Sequence, residues 1–227
     1  FRSKKIKHKT FISGSASGTF SDIRLNKNIR NAKKYYLEYL YDLLDLILKK
    51  EVDKNFKFPI NKNIEVNLTK IFSENHNYVG IAPGAGEENK IWPLNNYIEI
   101  GKYLESKDYI IVFYLGPNEK DYEQILKQNF QNAIFLENEK SLDSFNNIEI
   151  IMASTKFLKF AISNDSGVSH MLSTNYCPLI KLFGPKDSVK FTPKLKNLIT
   201  VSSSELNSDK IEDISISRVL KAIEDLD

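Results

Sequence analysis

One cysteine, Cys177, stands in a chain of 227 residues. A single thiol excludes an internal disulfide and any cysteine-rich metal site. The three histidines, His8, His76 and His170, are scattered and form no H-x-x-x-H pair, so no zinc centre is expected. No apolar run reaches the roughly 18–20 residues of a membrane-spanning helix. The first ten residues are basic and lack an apolar h-region, so they do not read as a signal peptide. Neither sign of charge dominates: 32 Lys and Arg stand against 29 Asp and Glu, a net +3. Nucleic-acid binders carry a strong basic stripe, and no nucleic-acid partner is expected. Repeats at solenoid periods are also absent. What remains is an ordinary globular composition, 41% hydrophobic and 27% charged, sufficient for one large core and part of a second.

The chain changes rhythm near residue 77. Before it, residues 5–12 read as a strand and 13–19 as a flexible loop. A helix is predicted over about 31–50, where Tyr36, Leu40, Leu43 and Ile47 recur on one face. Tyr35, Tyr39 and Tyr41 read as exposed. Residues 51–77 are Asn/Lys-rich, and Ile64–Leu68 alternates like a short strand. From Tyr78 onward, strand, turn and helix repeat. Strands are predicted at Tyr78–Pro83, Tyr109–Gly116, Ala133–Leu136, Phe157–Ser163, Pro178–Gly184 and Leu198–Ser202. Helices are predicted at Leu94–Glu105, Asn118–Asn129, Ser141–Ala153 with Ser141 as its cap, Val168–Thr174 and Ile214–Leu226. Such alternation specifies an α/β fold with a Rossmann-like, doubly wound parallel sheet. Three parts are expected: 1–76 as the remnant of a preceding domain plus connector, 77–213 as the Rossmann-like domain, and 214–227 as a C-terminal helix.

Four of the strands end in polar turns. The first is Ala-Pro-Gly-Ala-Gly-Glu-Glu-Asn-Lys-Ile-Trp-Pro, residues 82–93. Gly84 and Gly86 allow close backbone approach, and Lys90 supplies a cation. Asn89 stands where a dinucleotide fingerprint needs its third glycine, and no G-K-[ST] follows, so neither nucleotide motif is met. The second turn, residues 115–121, carries Glu119 just beyond a strand, where acids bind ribose hydroxyls. The alternative for Glu119 is a helix-start acid favoured by the dipole. The third, Ser163-Asn-Asp-Ser-Gly-Val-Ser-His170, places Asp165, Ser166, Gly167 and His170 together. It reads either as a ligand turn or as a simple N-cap. The fourth, Phe-Gly-Pro-Lys-Asp, residues 183–187, adds Lys186. Cations and amides for phosphate, with acids for hydroxyls, are the groups that a nucleotide sugar needs. Charge-assisted contacts are worth about 1.5–3 kcal/mol each, so three or four suffice for micromolar binding.

These motifs, in this order and spacing over Tyr78 to Pro193, resemble the C-terminal half of the lipopolysaccharide heptosyltransferases of glycosyltransferase family 9. The resemblance rests on Pro-Gly-Ala with Lys90-Ile-Trp-Pro, Gly116-Pro-Asn-Glu119, Ser163–His170 and Leu182-Phe-Gly-Pro185. It implies a GT-B-type fold, with only the tail of the N-terminal acceptor domain present. It implies inverting, metal-independent transfer of heptose from ADP-heptose to the lipopolysaccharide inner core, with no cofactor. Lys90 would hold the donor phosphates, Glu119 the ribose and Asp165 the sugar. Ser166, Gly167 and His170 would face the diphosphate, with Gly84, Ala85 and Gly86 lining the same donor site. Fixed donors there would stabilise the charge that grows on phosphate as the glycosidic bond breaks.

The chain departs from the pattern at three places. Ala85 and Gly86 stand where the family often has a hydroxyl residue, Lys186 replaces a common Thr, and Asn175-Tyr-Cys-Pro178 replaces a glycine turn. The catalytic aspartate of the family belongs to its N-terminal domain, so no catalytic residue is assigned here. The chain is expected to bind donor and to transfer poorly on its own. The resemblance also implies a lipid-linked sugar acceptor and a cytoplasmic location, peripheral at the inner membrane. Alternatives are another GT-B transferase, a sugar-nucleotide epimerase with a different donor, or a non-catalytic nucleotide-binding module. A GT-A enzyme is disfavoured because the lone D-x-D, Asp225-Leu226-Asp227, ends the chain.

Overall fold

Apolar residues gathered into short runs give parallel strands, and the helices between them cover both faces. The computed structural model describes residues 12–13, 23–24, 35–51, 59–174, 177–192 and 197–226. The chain divides into two compact units, Phe1–Phe56 with Val189–Lys194, and Lys57–Ser188 with Leu195–Asp227. In the first unit, strand β1 (Ile12–Ser13) pairs in parallel with β2 (Ile23–Arg24). Helix α1 (Tyr36–Leu48) follows and stops at Lys49, which takes the left-handed conformation. Leu43 and Ile47 on this helix are half-buried, whereas Leu37, Leu40, Leu44, Leu46 and Leu48 are exposed. Tyr35, Tyr39 and Tyr41 are each partly buried, contrary to expectation. Burial, with Tyr41 nearby, raises the Tyr35 phenol above its ordinary pKa. The predicted strand before Ile12, the loop after Ser13, residues 31–34 of the predicted helix and Asn175 lie outside the described residues.

The second unit carries the sheet. Its strands are β3 (Asn77–Ala82), β4 (Tyr109–Phe113), β5 (Ile134–Phe135), β6 (Leu158–Asn164), β7 (Leu179–Phe183) and β8 (Leu198–Ser202). They lie in the order β5-β4-β3-β6-β7-β8, and every pairing is parallel. Counted from β3, this is the 3-2-1-4-5-6 order of a doubly wound sheet. The order reverses between β3 and β6, the kind of switch point beyond whose carboxyl ends doubly wound sheets bind ligands.

The helices that follow α1 are α2 (Lys62–Ile71), α3 (Leu94–Glu105), α4 (Lys120–Asn129), α5 (Asn147–Ser154), α6 (Gly167–Leu172), α7 (Ser188–Phe191), of which Val189 onward belongs to the first unit, and α8 (Ile216–Glu224). Strand alternation sends side chains to two cores. Ile81, Phe113, Ile162 and Leu182 pack with α3, α4 and α8. Ala82, Val112, Ala161 and Leu179 pack with α2, α5 and α6. Because both faces are covered, the strands read as apolar runs rather than alternating ones.

Two elements differ from the sequence reading. Ile64–Leu68 is not a strand but lies inside α2, which Asn61 caps by accepting from the Asn63 N–H at 2.9 Å. The alternation of Ile64, Val66 and Leu68 is misleading. Ile64 and Leu68, one helical turn apart, are fully buried, while Val66 is exposed. Ser141 caps no helix: it sits in the 3-10 turn Lys140–Leu142, and α5 begins only after Asn146, whose side chain accepts from the Ile148 N–H. Asn presents a carbonyl oxygen to the free amides of a first turn, which suits it to this place. Among the described residues no helix is long and apolar enough to cross a membrane.

Candidate functional site

Asn164, the last residue of β6, ties together the two turns at the switch point. Its amide nitrogen donates to the Pro83 carbonyl at 2.7 Å, and its side-chain oxygen accepts from the Tyr97 hydroxyl at 2.8 Å and the Trp92 N–H at 3.2 Å. The Trp92 indole is fully buried and donates to the Ile214 carbonyl at 2.8 Å. The segment 83–93 is therefore fixed at both ends, beyond the carboxyl end of β3. Glu88–Lys90 makes one 3-10 turn there.

Three residues beyond Asn164, α6 begins at Gly167. Ser166 caps this helix by accepting from the Ser169 N–H, and Ser169 answers with its hydroxyl to the Ser166 N–H, a reciprocal capping box. The N-cap reading is thus correct for Ser166. Between strand and cap lies Asp165, nearly buried, whose own N–H donates to the Leu182 carbonyl of β7 at 3.0 Å. Its carboxylate meets two lysines. Lys181 of β7 lies 2.8 Å from Oδ1, and Lys90 lies 3.9 Å from Oδ2. Lys90 also pairs with Glu87 at 2.6 Å, and Lys186 reaches the other oxygen of Glu87 at 3.4 Å. Lys90, Lys181 and Lys186 thus meet the carboxylates of Asp165 and Glu87 in one linked set of ion pairs.

The electrostatics follow from these contacts. The Lys90 hydrogen bond, with Lys186 beside it, holds the exposed Glu87 carboxyl below its ordinary pKa. Burial lowers the Lys181 ammonium, and its bond to Asp165 pulls in the opposite direction. His170 opens to solvent on α6, yet the protein packed around its ring lowers its pKa, and the Lys181 charge adds to that. Asp165 works against both.

The sequence singles out nine donor-site residues. Gly84, Ala85, Gly86 and Lys90 lie on the turn after β3, and Asp165, Ser166, Gly167 and His170 on the turn and helix after β6. Glu119 follows β4 and is 7% exposed. Its Oε2 accepts from the Gly116 N–H at 2.8 Å, which closes its own turn. A Cβ on Gly84 would lie 2.4 Å from Glu119 Oε1, and one on Gly116 2.5 Å from Oε2. Both glycines are therefore needed to seat this carboxylate beside the β3 turn. Gly86 and Gly167 have open space at the same position.

Sequence reasoning missed Lys181 and Asn164 as site residues. Lys181 had a signal: it is the one charged residue within the apolar run Leu-Ile-Lys-Leu-Phe, and it is 1% exposed. Asn164 ends β6 directly before the Asp165 turn, and the sequence alone does not separate it from that turn.

With this geometry in place, three comparisons bear on the fold. The sequence profile of glycosyltransferase family 9 (heptosyltransferase) matches residues 4–218. A lipopolysaccharide heptosyltransferase 1 from Campylobacter coli is 27% identical over 193 residues, covering 82% of this chain and 54% of that protein. The chain thus spans about half the length of that relative. A family 9 glycosyl transferase from Veillonella parvula DSM 2008 superposes with a TM-score of 0.75 at 17% identity, over 91% of this chain and 63% of that one. The E. coli heptosyltransferase WaaC, solved with ADP-2-deoxy-2-fluoro heptose, gives 0.64 at 18% identity, over 91% and 59%. At such identities the structures establish a shared fold, the GT-B type expected from the sequence.

Proposed function

The chain belongs to glycosyltransferase family 9, the heptosyltransferases, and from that premise we propose that its sheet edge binds the nucleotide sugar ADP-heptose for transfer to the lipopolysaccharide inner core. The observation that carries this reading is the meeting of Lys90 and Asp165, 3.9 Å apart, across the switch point between β3 and β6. Residues 75 positions apart in sequence come together where doubly wound sheets bind ligands. Lys90, with Lys186 beside it on the exposed Glu87, is a cation that suits a diphosphate.

In this reading Lys90 leaves Glu87 and pairs with the donor phosphates. A compact ammonium on a flexible stem makes that exchange at little cost in geometry. Glu119, held open by Gly84 and Gly116, accepts from the ribose hydroxyls. Asp165 faces the sugar, with Ser166, Gly167 and His170 along the diphosphate. Ala85 and the Gly86 amide serve where the family often has a hydroxyl. As the glycosidic bond breaks, negative charge moves onto the leaving diphosphate, and prearranged cations stabilise it more than they stabilise the ground state. Inversion at the sugar, independence of metal, a lipid-linked sugar acceptor and contact with a membrane surface belong to the same proposal. The general base is not assigned to this chain.

Nucleotide competition tests the donor. The proposal requires ADP to bind more tightly than UDP or GDP. Preference for UDP would keep the fold and replace the heptose donor with a different nucleotide sugar.

A further inference from the structure

Lys181 is a buried charge that the donor-site reading leaves without a task. It lies within β7, paired in register with Ser163 of β6 and Thr200 of β8. Its neighbours on the strand, Ile180 and Leu182, are fully buried. A buried lysine is costly unless it is paired. Its Nζ lies 2.8 Å from Asp165 Oδ1 and 4.9 Å from the centre of the Phe183 ring. Through Oδ1, Lys181 fixes which way the Asp165 carboxylate turns, and Oδ2 is left toward Lys90 at 3.9 Å.

Resting on the donor reading above, we propose that Lys181 is a positioning residue for the donor site. It acts through Asp165 in two ways. It orients the carboxylate, and it offsets an anionic charge that would otherwise repel a diphosphate and capture Lys90. Lys90, already shared between Glu87 and Asp165, is then free to change partners. The assignment also explains why one strand of an apolar core carries a lysine at its third position.

The proposal predicts a compensation. Lys181→Met keeps the bulk and removes the charge, so Asp165 turns fully on Lys90, and ADP binding weakens about tenfold. Adding Asp165→Asn to Lys181→Met removes the uncompensated anion and recovers most of that loss. A lysine that merely supported the fold would give no such recovery. ADP binding by Lys181→Met equal to that of the unaltered chain overturns the proposal, as does a double variant no tighter than Lys181→Met. Histidine NMR supplies an arm that needs no nucleotide. Two charges act on His170 in opposite directions: Lys181 from β7 lowers its pKa, and Asp165 from the turn before α6 raises it. His170 should titrate higher in Lys181→Met and lower in Asp165→Asn, with its resonance assigned through His170→Gln. If the unaltered chain binds no ADP, the donor reading fails, and Lys181 is judged by this arm: shifts of those signs support its pairing with Asp165, and an unmoved His170 overturns it.

Discussion

At the scale of single residues, the account turns on side chains that are buried yet polar. Asn164 satisfies the Pro83 carbonyl, the Trp92 N–H and the Tyr97 hydroxyl at once. Asn164→Leu strands all three, and an unsatisfied buried group costs about 1–3 kcal/mol, so thermal unfolding should show a loss of several kcal/mol. Tyr97→Phe removes one bond alone and should cost about 1 kcal/mol. The glycines make a sharper pair. Gly84→Ala collides with Glu119 and should lower both stability and ADP affinity, whereas Gly86→Ala meets nothing within 4 Å and should change neither by a measurable amount. Equal effects at the two positions would refute the proposed seat for Glu119. His170 gives a pH prediction with a definite sign. Its folded pKa lies below the ordinary 6.5, so the folded state binds fewer protons than the unfolded one. The stability that this group contributes is present above pH 6.5 and is lost as pH falls through the folded value. In His170→Gln, unfolding midpoints between pH 7 and 5 should fall less steeply than in the unaltered chain.

At the scale of elements, most of the sheet was legible and one helix was not. Leu94–Glu105 and Leu198–Ser202 lie where the sequence places them, because a helix with one apolar face and a β-branched run such as Ile199-Thr-Val201 leave plain patterns. Short elements are harder. In Ile64–Leu68 two apolar spacings coexist, i to i+2 and i to i+4, and only tertiary burial decides between them. The cap of α5 was misplaced by five residues because Ser141 and Asn146 are both good cap residues, and the chain between them makes a 3-10 turn instead. The helical reading of α2 has its own test. Ile64→Ala should cost about 2–5 kcal/mol, while Val66→Ala, on the exposed face, should stay within about 0.5 kcal/mol. A strand would make the outcome depend on i and i+2 together, with Val66 sharing the fate of Ile64 and Leu68. At the site, the turn residues were legible because each ends an apolar strand. The ion pair of Lys181 with Asp165 was not, since no sequence spacing shows which neighbouring strand a side chain will meet.

At the scale of the whole molecule, the strand order makes the site. Reversal between β3 and β6 carries Lys90 and Asp165 to one edge, and β4, the neighbour of β3, brings Glu119 beside Gly84. Calorimetric titration of ADP is the most direct test, with the unaltered chain beside Lys90→Ala and with Lys127→Ala as the control. Lys127 pairs with Glu123 on α4 and touches none of these turns. The account predicts micromolar binding that Lys90→Ala weakens at least about tenfold and Lys127→Ala leaves intact. Well-folded protein that binds ADP equally in all three forms would contradict it.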